Sequence, residues 1–161
     1  RLQVVLRRVG QQGGHVLEPD AMRDQPLPGI GAAREERQRG KDVPRRVVNI
    51  GSVAHHGGIG GANYSAAKAG LVGLTKAMAD EWAAFGVTVN AGAPGFIEAG
   101  LSEGIPEETR RQIAARIPVG RAGTPEDVAA AVAFFGSPAA GLVTGQVLEV
   151  HGGMPDMRPD T

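Results

Sequence analysis

The pattern of apolar and polar positions divides this chain near Arg46. Before that point the pattern has little period. Leu2-Gln3-Val4-Val5-Leu6 can form a short strand, and Ala32 to Arg39 a short polar helix. Between them, Gln11-Gln12-Gly13-Gly14 and Pro19, Pro26 and Pro28 read as loop. Residues 1–45 are therefore expected to pack poorly and not to complete the sheet with a proper cofactor strand.

From Arg46 onward the pattern is regular. Val47-Val48-Asn49-Ile50 is a β-branched run closing on Gly51-Ser52, which predicts a buried strand. Gly57 to Gly61 is a glycine-rich loop, and Asn63 to Phe85 predicts one long helix closed by Gly86. Val87-Thr88-Val89-Asn90 predicts a second strand, ending in a turn at Ala93-Pro94-Gly95. A helical lid segment is expected over Pro106 to Arg116. Thr124-Pro125-Glu126-Asp127 is a helix start, with a Thr cap, Pro in the first position and two acids in the first turn. That helix is expected to reach Phe135, and Gln146 to Val150 predicts a third strand. Alternating strands and helices imply an α/β fold, a parallel sheet with helical crossovers.

Composition narrows the classes. With 161 residues, 42% hydrophobic, 21% charged and a net charge of +0, the chain has the make-up of a soluble globular domain. No apolar run approaches the length of a membrane span. The chain has no cysteine, which excludes disulfides, thiolate catalysis and Cys-based zinc sites and is compatible with a cytoplasmic location. Arg1 to Gly10 carries no signal-peptide pattern and does not begin with Met, so the chain is expected to be a fragment. Residues 1–46 hold nine Arg and one Lys against six acids, while residues 47–161 hold five Arg and two Lys against eleven. The basic residues are scattered and no aromatic lies among them for stacking on bases, so nucleic acid is not an expected partner. His55 and His56 are adjacent, but with four His and no Cys a closed metal site is not expected, and both read as solvated loop residues. Arg110 and Arg111 read as exposed helix charge.

The candidate chemistry lies in the second part. Tyr64-Ser65-Ala66-Ala67-Lys68 places a phenol and an ammonium at i and i+4 on one helix face. A free Tyr is a poor acid or base at neutral pH, and a nearby ammonium favours its phenolate. Ser52 follows a predicted strand, and in open α/β sheets ligands bind outside the carboxyl ends of strands. The three side chains make a proton-transfer site suited to reducing a ketone or oxidising an alcohol. The hydride has to come from a cofactor, because no side chain supplies one.

Several motifs in order carry a resemblance. They are Arg46-Val47-Val48-Asn49-Ile50-Gly51-Ser52, Ala62-Asn63-Tyr64-Ser65-Ala66-Ala67-Lys68-Ala69-Gly70, Val87-Thr88-Val89-Asn90, and Ala93-Pro94-Gly95-Phe96-Ile97-Glu98. Gly120-Arg121, Pro125-Glu126-Asp127, Val143-Thr144-Gly145-Gln146 and Gly152-Gly153 continue the series. Residues 46–153 thereby resemble the C-terminal half of the short-chain dehydrogenases/reductases, most closely the 3-oxoacyl-[acyl-carrier-protein] reductase branch. The resemblance implies half of a doubly wound, Rossmann-like fold, with residues 1–45 unassigned and 154–161 a tail. It implies that Ser52 positions the substrate carbonyl, Tyr64 is the general acid or base, and Lys68 lowers the Tyr pKa and holds the nicotinamide ribose. Pro94, Gly95 and Ile97 would line the nicotinamide of NADP or NAD. A small carbonyl or alcohol substrate, also in carrier-linked form, and homo-oligomers through helix 63–85 are implied as well.

There are departures from the family pattern. The phosphate loop Thr-Gly-x-x-x-Gly-x-Gly has no match. Gly29-Ile30-Gly31 echoes its end, but Gln25 stands at the first Gly and the segment lies only 23 positions before Ser52. Ser52 to Tyr64 is twelve positions, one fewer than usual. Gly92, Ala99 and His151 replace the usual Val, Thr and Asp or Asn. The alternative expectation is thus a truncated or frame-disrupted relative without activity. In either case the strand at Val47–Ile50 is expected to present an open edge.

Overall fold

The computed structural model describes residues 3–7, 35, 38, 44–58 and 61–154. Four strands form one parallel sheet: β1 (Gln3–Arg7), β2 (Arg45–Ile50), β3 (Val87–Pro94) and β4 (Val147–Val150), in the spatial order β1-β2-β3-β4. Among the described residues they are accompanied by the α-helices α1 (Ala62–Ala83), α2 (Glu107–Ala115) and α3 (Pro125–Gly136). This is the parallel α/β architecture that the sequence pattern predicts. The helix and strand bounds differ from the expected ones by a few residues, except that β3 runs on to Pro94. The tail from residue 155 and most of residues 1–43 lie outside the described residues.

The central strands are buried on both faces, as is usual in a parallel sheet. In β3 the seven residues Val87 to Ala93 are all buried. Val47 on β2 faces Val89 on β3 in register, and both pack with Val87 against Met78, Ala79 and Trp82 of α1. Val48 and its register partner Asn90 point to the other side by strand alternation, and both are 0% exposed. Helix α1 ends where Gly86, at φ 72°, turns the chain into β3, a conformation that a side chain would strain. Helix α3 starts as its residue types predict. Pro125 takes the first position, the Thr124 N–H donates to Asp127 Oδ2 at 2.8 Å, and Arg121 grips both Asp127 oxygens at 2.6 and 2.8 Å.

One expectation is corrected. Val47–Ile50 does not present an open edge, because β1 pairs with it in parallel, from Gln3 opposite Arg45 to Arg7 opposite Asn49. A strand buried on both faces gains most from a partner on each side, and the Val4-Val5-Leu6 run is the apolar, β-branched segment that residues 1–45 offer. The expected short strand is therefore present, shifted by one residue, and it extends the sheet.

Candidate active site

Three backbone features position the candidate residues beyond the ends of β2 and β3. Chain reversal after Ile50 comes first. Ser52 caps a 3-10 turn over Val53–His56, its Oγ accepting the Ala54 N–H at 3.2 Å. That bond uses an oxygen lone pair and leaves the hydroxyl hydrogen available to a carbonyl oxygen.

The start of α1 is the second feature. Tyr64 and Lys68 are one helical turn apart, and Lys68 Nζ stands 5.5 Å from the centre of the Tyr64 ring. The same Nζ donates to the Ile50 carbonyl at 3.2 Å. One ammonium therefore spans from the Tyr64 ring to the end of the strand that carries Ser52. Deeper in the helix, Thr75 Oγ1 accepts from Asn49 Nδ2 at 2.9 Å and donates to the Leu71 carbonyl at 2.7 Å, inside the core. This buried pair fixes the rotation of α1 against β2. Among the described residues the Tyr64 hydroxyl makes no hydrogen bond, so it remains available.

The third feature is the end of β3. The Gly95 N–H donates to the Val150 carbonyl at 3.0 Å, and a Cβ on Gly95 would stand 2.7 Å from that of His151. Glycine is needed there because the two strand ends approach so closely. Ile97 forms a parallel bridge with Gly123, and its side chain lies against that glycine, so a Cβ there would require the Ile97 side chain to shift. Pro94, Gly95 and Ile97 therefore form a segment fastened on one side to β4 and on the other to the approach to α3. The motif around Val143-Thr144-Gly145-Gln146 holds this arrangement from behind. Asn90 Nδ2 donates to the Val143 carbonyl at 2.8 Å, its Oδ1 accepts the Gln146 N–H at 3.0 Å, and the Val89 N–H donates to Thr144 Oγ1 at 3.0 Å.

Other residues fall differently from expectation. Arg110 and Arg111 pair with Glu107 and Glu108 on the surface of α2, as exposed helix charge does. His55 and His56 are not both solvated. The His55 side chain is only 12% exposed, and both imidazoles face Glu149 Oε1, at 3.6 and 2.6 Å. His151 reaches the other oxygen, Oε2, at 2.9 Å. The hydrogen bond from His56, with a smaller contribution from His151, holds the Glu149 carboxyl below the usual carboxylate range. Glu149 was not visible as a site residue, since it lies 93 positions from His56. The adjacent histidines and the unusual His151 were the available signals.

A parallel sheet with helical crossovers, open at the carboxyl ends of its strands, places the chain among α/β proteins of the Rossmann type. The chain belongs to the short-chain dehydrogenase/reductase family: the family model described as enoyl-(acyl carrier protein) reductase matches residues 30–155. The family's members are oxidoreductases that use NAD(P). Among curated relatives, the 3-oxoacyl-[acyl-carrier-protein] reductase FabG of Vibrio cholerae is 51% identical over 110 residues, 68% of this chain and 45% of that protein. The FabG of Rickettsia felis is 49% identical over 68% of this chain and 46% of its own. Among solved structures, a proposed 2-deoxy-d-gluconate 3-dehydrogenase from Agrobacterium tumefaciens with bound NADP superposes with a TM-score of 0.66 at 43% identity, covering 77% of this chain and 52% of that one. The chain thus spans about half the length of the relatives it matches. No helix among the described residues is long and apolar enough to cross a membrane.

Proposed function

We propose that residues 46–153 carry the proton-transfer half of an NAD(P)-dependent carbonyl reductase or alcohol dehydrogenase, of the 3-oxoacyl-[acyl-carrier-protein] reductase type, acting in the cytoplasm. The observation that carries this reading is the position of Lys68 Nζ between the Tyr64 ring and the Ile50 carbonyl, two residues before Ser52. In reduction, the Ser52 hydroxyl donates to the substrate carbonyl oxygen and polarises it. The cofactor, when bound, supplies a hydride to the carbonyl carbon. The Tyr64 hydroxyl gives its proton to the developing alkoxide, and in oxidation it takes that proton back. Lys68 faces the resulting phenolate with a positive charge and presents N–H donors to the ribose. Pro94, Gly95 and Ile97, fastened between β4 and Gly123, would line the nicotinamide. The substrate is a ketone or alcohol, free or carrier-linked, and the active form is a homo-oligomer built on α1.

A second reading has its own observation. The phosphate-loop pattern is not recognisable upstream of Arg46, where Gln25 stands in place of its first glycine. Phosphate contacts contribute much of the affinity that places a nicotinamide, so this chain would then bind cofactor weakly and turn over slowly. Titration of the purified chain with NADPH and NADH, with turnover of a 3-oxoacyl thioester, separates the two. The first reading expects micromolar binding and turnover that disappears in Tyr64→Phe while binding persists. Millimolar or absent binding overturns it in favour of the second.

A further inference from the structure

We propose that His55, His56 and Glu149 bind a divalent transition-metal cation, zinc by preference, with His151 orienting the carboxylate. The inference rests on its own residues and not on the Ser-Tyr-Lys reading. Hydrogen-bond directions lead to it. His55 Nδ1 lies 2.7 Å from the Ser52 carbonyl, which can only accept, so Nδ1 carries the hydrogen. In a neutral His55 the lone pair then sits on Nε2, and Nε2 faces Glu149 Oε1 at 3.6 Å. Two electron-rich atoms confront one another, with His55 largely withdrawn from water. A cation between them satisfies both.

The surroundings match what a metal ligand set needs. The Gly153 N–H donates to His151 Nδ1 at 2.9 Å, which puts the hydrogen of neutral His151 on Nε2, and Nε2 donates to Glu149 Oε2 at 2.9 Å. Oε2 is thereby held from behind, and Oε1 is turned towards His55 and His56. A carboxylate fixed through its second oxygen, and a histidine fixed through Nδ1–H to a backbone carbonyl, are the outer-shell supports that tune metal ligands. One ligand atom from each of His55, His56 and Glu149 lies within 4.8 Å of the others. Zinc bound to N and O ligands at about 2.0–2.2 Å in a tetrahedron spaces those ligands roughly 3.3–3.6 Å apart, which the His55–Glu149 pair at 3.6 Å already meets, while the His56–Glu149 pair has to open from 2.6 Å. His56 now shares a hydrogen with Oε1 at 2.6 Å. Its side chain is 45% exposed, and a shift to the tautomer with the hydrogen on Nδ1 frees Nε2 for the ion. Two imidazoles and one carboxylate suit zinc, whereas magnesium and calcium prefer all-oxygen sites. Three protein ligands leave a fourth position open to water.

The experiment uses the full 161-residue chain without an oligohistidine tag, stripped of metal. Zinc chloride is titrated calorimetrically, with magnesium chloride in parallel. Cobalt(II) is titrated by visible absorption, and the zinc-loaded wild type is examined by X-ray absorption. One zinc per chain is expected, with no magnesium heat, a tetrahedral cobalt spectrum and imidazole scattering around zinc. His55→Asn keeps a side-chain N–H for the Ser52 carbonyl but deletes Nε2. It should weaken zinc by more than ~100-fold, because losing a ligand exceeds the ~10–100-fold cost of losing an outer-shell partner. His151→Phe should fall within that outer-shell range. Circular dichroism shows whether each variant folds. If one does not, the wild-type stoichiometry and imidazole scattering decide the matter alone. Absence of stoichiometric zinc, a zinc shell without imidazole, or unchanged affinity in folded His55→Asn overturns the proposal.

Discussion

Asn90 offers a demanding test of how the chain builds its site. Its side chain is 0% exposed and spends both ends of the amide on one segment, donating to the Val143 carbonyl and accepting the Gln146 N–H. Asn90→Ala removes both bonds and leaves that carbonyl and that N–H without their side-chain partner. Each stranded polar group costs about 1–3 kcal/mol, so the pair predicts a loss of about 2–6 kcal/mol, towards the lower end because Gln146 is exposed and its N–H can regain water. That is a large part of the ~5–15 kcal/mol by which domains are stable. Urea unfolding followed through Trp82 measures it, since this is the only tryptophan and it is 6% exposed beneath the sheet. The expected result is a lower midpoint with an unchanged slope. Amide exchange should quicken at Gln146 and at Gly95, whose N–H depends on the β4 strand that follows. A loss below about 1 kcal/mol, with exchange at Gln146 unaltered, would refute the claim that this amide holds β4 and the Pro94–Ile97 segment in place.

Two further predictions concern the surface. Asp127 is held well below the usual carboxylate range, first by the side-chain bond from Arg121 and then by the Thr124 N–H. A depressed folded-state pKa gives stability that is full above the ordinary carboxylate pKa and is lost as pH falls through the folded value. Wild type should therefore melt higher than Asp127→Asn at neutral pH, with the gap closing under strong acid; a pH-independent gap would count against the charge as its cause. Gly73 on α1 is exposed, and a Cβ there meets nothing within 4 Å in the single chain. Gly73→Ala should add about 1 kcal/mol to the monomer through helix propensity. If α1 is the oligomer face, as proposed, the same change should weaken assembly in light scattering over a dilution series, and unaltered assembly would remove α1 from that role.

Local patterning decided much of this protein before any tertiary contact was known. The β-branched run at Val47–Ile50, the Thr124-Pro125-Glu126-Asp127 start and the spacing of Tyr64 and Lys68 each act within a few residues, where backbone sterics and capping chemistry dominate. They specified the parallel α/β class and the candidate catalytic face. What they could not specify was which segment completes the sheet. Gln3–Arg7 pairs with β2 across some forty intervening positions, and only the demand of a doubly buried strand for a second partner selects it. The same holds for Glu149. Its carboxylate meets His55 and His56 because the parallel strands β2 and β4 both end at the carboxyl end of the sheet, where the turn after Ser52 begins. Spacing along the chain carries short-range geometry, whereas distant side chains meet only through the packing of whole strands and helices.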